Sequence, residues 1–323
     1  MMESANKVKE LMNRAGASGS SFLFGVDFEL TRGFFIESPL EQQNILFDVR
    51  GVSNVERAKI NGEQKALVKN PIAFEEYERK FREVRKGLLR GDSFLSNLTV
   101  ATEVETCWSL VEIFHQSHGL YRLCIPENFV CFSPERFVLI EEGRISSNPM
   151  KGTIDASVPF AEEVILSDYK ERSEHNTIVD LIRNDLNRVS EQVRLERFRY
   201  VDRLHTSNGD ILQVSSEITG RLPEHYETFL GDIVFDLLPA GSISGAPKPA
   251  TLRIISRAEG EKRGFYTGVF GLYDGKRLDT AVMIRFIEEK GRKRYFRSGG
   301  GITINSSCRS EYEEVLEKVY LPF

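Results

Sequence analysis

Cysteine and tryptophan are scarce in this chain of 323 residues, and there is no excess of positive charge. Its 4 cysteines, Cys107, Cys124, Cys131 and Cys308, form no CxxC pair and stand at no Cys/His metal spacing. That argues against structural zinc and fits a reducing, cytoplasmic compartment. Lys and Arg number 43 against 48 Asp and Glu, a formal net charge of −5, so neither a nucleic-acid binder nor a polybasic membrane-surface protein is expected. No apolar run approaches the ~20 residues that span a bilayer. The opening MMESANKVKELMNRAG has no apolar signal region; Val8, Leu11 and Met12 instead mark one helical stripe. Pro/Ser-rich linkers, fixed-period repeats and blocks of like charge are also missing, which leaves one domain over residues 1–323 as the simplest organisation. A chain this long buries roughly three quarters of its unfolded surface, enough for a large core without staples.

What is present is a mixture. FLFGVDFEL (22–30), FVCFSPERFVLIEEGRI (129–145) and FYTGVFGLYDG (265–275) are rich in β-branched and aromatic residues and punctuated by Gly, Pro and Asp-Gly, so they read as strands, the earliest opening near residue 22. FEEYERKFREVRKGLLRG (74–91), the stretch from Ala161 to Val189, and PATLRIISRAEG (249–260) read as helices, the last with a proline at its start and Gly260 at its end. The pattern predicts an α+β fold with a large antiparallel component. Trp108 and the aromatics of the N-terminal half are expected in the core.

Several segments carry chemistry. In YKERSEHNTIVDLIRNDLNRV (169–189), Ile178, Leu181, Ile182 and Leu186 form an apolar face that, extended backwards, reaches Glu174 and Glu171. The last helix repeats the arrangement with Glu311 and Glu314 beside the core positions Val315 and Val319, and Lys318 one turn beyond. Facing one another, four carboxylates would need a hard divalent cation, and oxygen-only ligation suits Mg²⁺; the bland reading is two ordinary solvated helix ends. FSPERFVLIEEGRISSNPMKGT (132–153) reads as strand, turn, strand, ending in Lys151 held in a tight turn. A lysine becomes a nucleophile when its pKa is depressed; otherwise it is a loop residue. Glu135 on the preceding strand approaches Lys151 if the two strands form a hairpin. PAGSISGAPK (239–248) leads into a helix start, a plausible carboxylate cradle, without the Walker spacing. SGGGIT (298–303) lacks the GxGxxG spacing of a dinucleotide site, and its glycines allow a close backbone approach.

In the order FSPERF, PMKGT, ERSEHNTIVDLIRND, PAGSISGAPK, RGFYTGVFG, DTAVMIR, SGGGIT and EYEEVLEKV, the chain from about Gly91 onward resembles the chorismate-utilising enzymes. That family includes anthranilate, isochorismate, salicylate and aminodeoxychorismate synthases. The resemblance implies a chorismate-binding domain of two mostly antiparallel sheets packed as a sandwich with helices outside. Residues 91–323 would hold the core motifs, and residues 1–90 a shortened N-terminal portion without an intact tryptophan-regulatory pocket. PMKGT is similar to the PIKGT of aminodeoxychorismate synthases and differs from the PIAGT of anthranilate synthases. The resemblance therefore makes Lys151 the nucleophile at ring carbon C2 and Glu135 the acid for the departing C4 hydroxyl. It places Glu171, Glu174, Glu311 and Glu314 on Mg²⁺ and puts Arg285 and Tyr266 on the enolpyruvyl carboxylate. Ser242, Thr153, Gly299, Gly300, Gly301, Lys318 and Gln213 would line the substrate site. His175, next to Glu174, is given an orienting role.

The implied activity is aminodeoxychorismate synthase component I, taking ammonia from a partner glutamine amidotransferase for 4-aminobenzoate and folate synthesis. Gln213 stands where many anthranilate synthases carry histidine, which disfavours anthranilate synthesis. A water-adding isochorismate or salicylate synthase, and a catalytically silent subunit that only binds chorismate or the amidotransferase, also stay open.

Overall fold

The computed structural model describes residues 2–56, 67–206 and 209–321. Its helices, among the described residues, are α1 (Ala5–Ser18), α2 (Phe74–Leu89), α3 (Leu110–Gln116), α4 (Ala161–Ser167), α5 (Tyr169–Leu186), α6 (Leu230–Leu237), α7 (Lys248–Glu259) and α8 (Cys308–Glu317). α1 begins where Ser4 accepts a hydrogen bond from Lys7 N and ends on Gly19 at φ 66°, a backbone conformation that glycine adopts at low cost. In α2, Tyr77, Phe81, Val84 and Leu88 recur on one buried face, each burial contributing roughly 1.5–3 kcal/mol. The 161–189 stretch is two helices, not one. Asp168 lies between them with extended backbone, and its side chain accepts from Glu171 N, a cap that starts a new helix where the sequence expects continuation.

Two sheets form the body. The first runs in the order Met2–Ser4, Arg32–Glu37, Phe22–Val26, Val269–Tyr273, Leu278–Val282, Arg136–Glu141, Arg144–Ser147, Gly209–Arg221 and Met150–Asp155, with Glu191–Thr206 also on Gly209–Arg221. The second runs Gly245–Ala246, Leu95–Glu105, Lys293–Ile302, Phe286–Lys290, Phe129–Ser133, Tyr121–Ile125, Leu46–Val49 and Val52–Ser53, with Val68–Asn70 on Leu95–Glu105. Every recorded pairing is antiparallel. The earliest strand lies at residues 2–4, ahead of the expected position near 22.

One apolar cluster, including Leu23, Phe34, Phe47, Leu123, Phe129 and Phe270, draws on both sheets and fills the space between them. A second, including Phe22, Phe24, Ile182 and Val234, lies on the first sheet's other face under α1, α5 and α6. A third, including Leu98, Ile254 and Val315, lies on the second sheet's other face under α2, α7 and α8. The Phe22–Val26 strand feeds both faces of its sheet, so all five of its residues are buried and its sequence shows no polar alternation. The architecture is the expected α+β sandwich with helices outside. Trp108 is buried in a further apolar cluster, as expected.

Candidate active site

Where the ends of the two sheets approach each other, a cavity of about 190 Å³ opens. Lys151 comes to it from the first sheet, Gly299, Gly300 and Gly301 from the second, and Glu135, Ser242, Tyr266 and Arg285 from connecting segments, Glu135 from the link between Phe129–Ser133 and Arg136–Glu141. Lys318, the C-cap of α8, completes the rim. Nine residues singled out in the sequence thus share one wall. Glu135 and Lys151 are not hairpin neighbours. Arg136–Glu141 pairs with Arg144–Ser147, which pairs with Gly209–Arg221, which alone pairs with Met150–Asp155. Lys151 also lies within a strand, not in a turn.

Local bonds orient these groups. Ser242 Oγ donates to Glu135 Oε1 at 2.5 Å. Burial holds the Glu135 carboxyl above its ordinary range, opposed by that hydrogen bond and by the Lys318 charge. Tyr266 is buried, and its phenol is pushed up to about 12, chiefly by desolvation. Arg285 stands at φ 53°; its Nη1 donates to Lys318 O at 3.0 Å and its guanidinium lies 4.8 Å from the Tyr320 ring centroid. Lys318 Nζ donates to Gly299 O at 2.9 Å and to Glu314 Oε1 at 2.7 Å. At Gly299 a Cβ would stand 2.7 Å from Leu98 O on the neighbouring strand, so glycine is required there by close approach.

None of the four ExxE glutamates lines the cavity itself; both pairs stand behind its wall, close to Lys151 and the neighbouring glycines. Glu174 is 5% and Glu311 2% exposed. A Cβ on Gly152 would sit 3.5 Å from Glu171 Oε2, and one on Gly300 would sit 3.4 Å from Glu311 Oε2 and 3.8 Å from Glu314 Oε1. Between them is Lys151, whose Nζ lies 2.7 Å from Glu174 Oε2. Desolvation would lower its pKa, but attraction to Glu174, Glu171 and Glu314 outweighs it and the net direction is upward. The ammonium form is favoured, the reverse of the depressed pKa that a nucleophilic lysine needs. As donors, four carboxylates around glycines suit a hard divalent cation. As arranged, no three His, Cys, Asp or Glu side chains among the described residues converge on a metal position; the lysine ammonium balances the carboxylates instead.

Other expectations are corrected. Thr153 and Gln213 are register partners on Met150–Asp155 and Gly209–Arg221, and neither lines the cavity. The pairing register shifts in a bulge between Met150 and Thr153, so Thr153 does not simply continue the face that carries Lys151. The cradle in PAGSISGAPK is not the helix start: Ser242 and Ile243 line the cavity, whereas α7 opens later, after Pro247. His175 lies outside the cavity; its Nε2 is 2.6 Å from Ser216 Oγ, and burial, then Arg199 and Lys151, pushes it down to about 4. As a neutral ring it ties α5 to the Gly209–Arg221 strand. Sequence reading missed Asn97, Thr267 and Arg297, which also line the cavity. Arg297 had a signal, since it stands two residues before the glycine run; Asn97 had one as a polar residue inside the apolar LSNLTV.

Comparison with known proteins accords with this geometry. A Haemophilus influenzae protein named as an uncharacterized PabA-like protein is 49% identical over 318 residues, covering 97% of this chain and 95% of its own. The crystal structure of anthranilate synthase component I from Streptococcus pneumoniae aligns with TM-score 0.64 and 29% identity, over 79% of this chain and 58% of that one. The menaquinone-specific isochorismate synthase of Escherichia coli, at 16% identity, shares the fold with TM-score 0.77, over 98% of this chain and 82% of that one. Residues 36–322, a span reaching well ahead of Gly91, match the family model described as chorismate binding enzyme, and the chain belongs to that family.

Proposed function

We propose that this chain is the chorismate-converting component of an aminodeoxychorismate synthase. Lys151 carries the reading: an amine in the wall of the cavity that also presents Glu135 and the Arg285 fork. Arg285 and Tyr266 hold the enolpyruvyl carboxylate of chorismate, the guanidinium fork matching its two oxygens. Glu171, Glu174, Glu311 and Glu314 would hold Mg²⁺, which when bound supplies positive charge for the ring carboxylate. Glu135, whose acid form burial favours and which Ser242 aims, gives its proton to the C4 hydroxyl, which leaves as water. Lys151 Nζ bonds to C2 as the C4–O bond breaks and the two conjugated ring double bonds shift along C1, C6 and C5 towards C4. Ammonia then bonds to C4, both double bonds shift back, and the lysine leaves C2 as a neutral amine. The incoming nitrogen returns a proton to Glu135, and the product is 4-amino-4-deoxychorismate. Lys151 can act this way only when Glu174 and Glu171 are engaged elsewhere, because their attraction keeps it an ammonium.

The same reading includes one catalytic domain over residues 1–323, a cytoplasmic setting and a separate glutamine amidotransferase that supplies ammonia. The four cysteines are free thiols, which supports a reducing compartment, and among the described residues no helix is long and apolar enough to cross a membrane. Anthranilate synthesis is the second reading, favoured by the 29% identity to the Streptococcus pneumoniae enzyme and by the place of Gln213 outside the cavity, which removes one argument against it. Incubation of the purified protein with chorismate, Mg²⁺ and ammonium, read by mass spectrometry, decides between them. Aminodeoxychorismate that disappears in Lys151→Ala is the expected outcome. Anthranilate or isochorismate as the product overturns the assignment, and chorismate binding without turnover points to a silent subunit.

A further inference from the structure

A second cavity, of about 20 Å³, shares only Glu135 and Ser242 with the first. The acid and the hydroxyl that aims it are therefore the partition between two chambers. The smaller one is walled mainly by apolar side chains, among them Ile182 and Leu186 of α5, Leu237 of α6 and Ala240. Its polar lining is already committed: Ser147 Oγ donates to Phe137 O at 2.9 Å, Asp185 is paired with Lys248 at 2.7 Å, and Arg136 is paired with Asp279 at 3.1 Å. Space of this size admits about one water-sized molecule. Apolar walls with a neutralised carboxylate disfavour an ion that arrives alone, since its desolvation has no compensation.

We infer that this chamber is the berth of the small neutral nucleophile that replaces the hydroxyl expelled with help from Glu135. On the function proposed above, on which the inference rests, that molecule is ammonia and not ammonium; water is the other molecule of the same chemistry. Once Glu135 has given its proton to the leaving oxygen, its carboxylate borders the berth and accepts a proton from the incoming nitrogen as the C–N bond forms. The C4–O bond breaks, the C4–N bond forms, one proton passes out through Glu135 and one returns, and water is released.

Two variants of opposite sign test this. Ala240→Val fills the chamber and Ile182→Val widens it by one methylene, with thermal unfolding used to verify that both are folded. With ammonium titrated at saturating chorismate and Mg²⁺, Ala240→Val is expected to raise the ammonium KM by roughly tenfold while the chorismate KM stays within about twofold. Ile182→Val is expected to accept methylamine, giving a product heavier by one methylene that the unchanged protein does not form. Wild-type ammonium dependence in both variants, or parallel losses for ammonium and chorismate, overturns the inference. If the unchanged protein adds water to chorismate and never ammonia, the proposed function fails but the berth does not. In that case a roughly tenfold slower water addition by Ala240→Val supports the berth, and an unchanged rate overturns it.

Discussion

Replacing Arg263 by methionine removes the guanidinium that ties the cavity walls together. Arg263 is 1% exposed. Its Nε and Nη2 bind the Glu259 carboxylate at 2.9 and 2.6 Å, Nη1 donates to Ile243 O at 2.9 Å, and Nη2 donates to Asn97 O at 2.9 Å. The Phe28 ring centroid lies 4.5 Å away. Without the guanidinium, Glu259 keeps, among the described residues, only Thr99 N and Thr99 Oγ1 as donors, at 2.9 and 3.0 Å, and remains a buried charge without its cation. Breaking a buried pair from one side costs roughly 3–5 kcal/mol. Each orphaned carbonyl adds roughly 1–3 kcal/mol before relaxation, while methionine keeps much of the apolar stem packing. We expect a net loss of about 4 kcal/mol, which for a chain this long lowers the melting temperature by roughly 6 °C. Urea unfolding followed by the fluorescence of the single tryptophan, Trp108, measures it. The double variant Arg263→Met/Glu259→Leu should recover about half the loss, because the uncompensated charge is gone. Because Ile243 and Asn97 line the cavity, the folded fraction of Arg263→Met should also show a raised chorismate KM. A loss under about 1 kcal/mol would refute the claim that the pair is structurally required.

Three further outcomes follow from the same geometry. Lys151→Met should tighten Mg²⁺ binding in titration calorimetry, since the ammonium 2.7 Å from Glu174 competes for that carboxylate; weaker binding would place the metal elsewhere. Ser242→Ala removes a donor that favours ionised Glu135. The carboxyl pKa then rises, and the alkaline limb of chorismate turnover, where the acid is lost, should move up by about one pH unit. Because Glu135 is raised above its ordinary 4.5 in the fold, its contribution to stability is complete below 4.5 and declines as pH rises through the folded value. Gly87→Ala sets a Cβ 2.4 Å from Ile254 Cδ1 where α2 crosses α7, so a loss of roughly 1–3 kcal/mol in urea unfolding is expected, partly relieved by Ile254→Val.

Much of the site was legible because its residues sit in short segments with their own signals. The glycine run, the buried ExxE faces, and Arg285 and Tyr266 in their motifs needed only periodicity and resemblance to be singled out, and the cavity gathers most of the residues chosen. Thr153 and Gln213 fall outside the cavity lining, because membership of a motif does not show the bulge that breaks the register between Met150 and Thr153. The break at Asp168 was missed because the apolar pattern continues across it, and only the hydrogen bond to Glu171 N shows a new helix start.

The amino-acid sequence by itself determined which segments would be strands or helices and which carboxylates, lysine and glycines would carry chemistry, since caps, turns and periodicities act over a few residues. Only the tertiary structure decided how those groups meet. Glu135 and Lys151 share a cavity through three intervening strand pairings. Lys151 lies among glutamates from two helices distant in the chain. Its charge state, like the chamber behind Glu135, depends on burial and on neighbours far along the chain, and neither quantity is a property of any local stretch of residues.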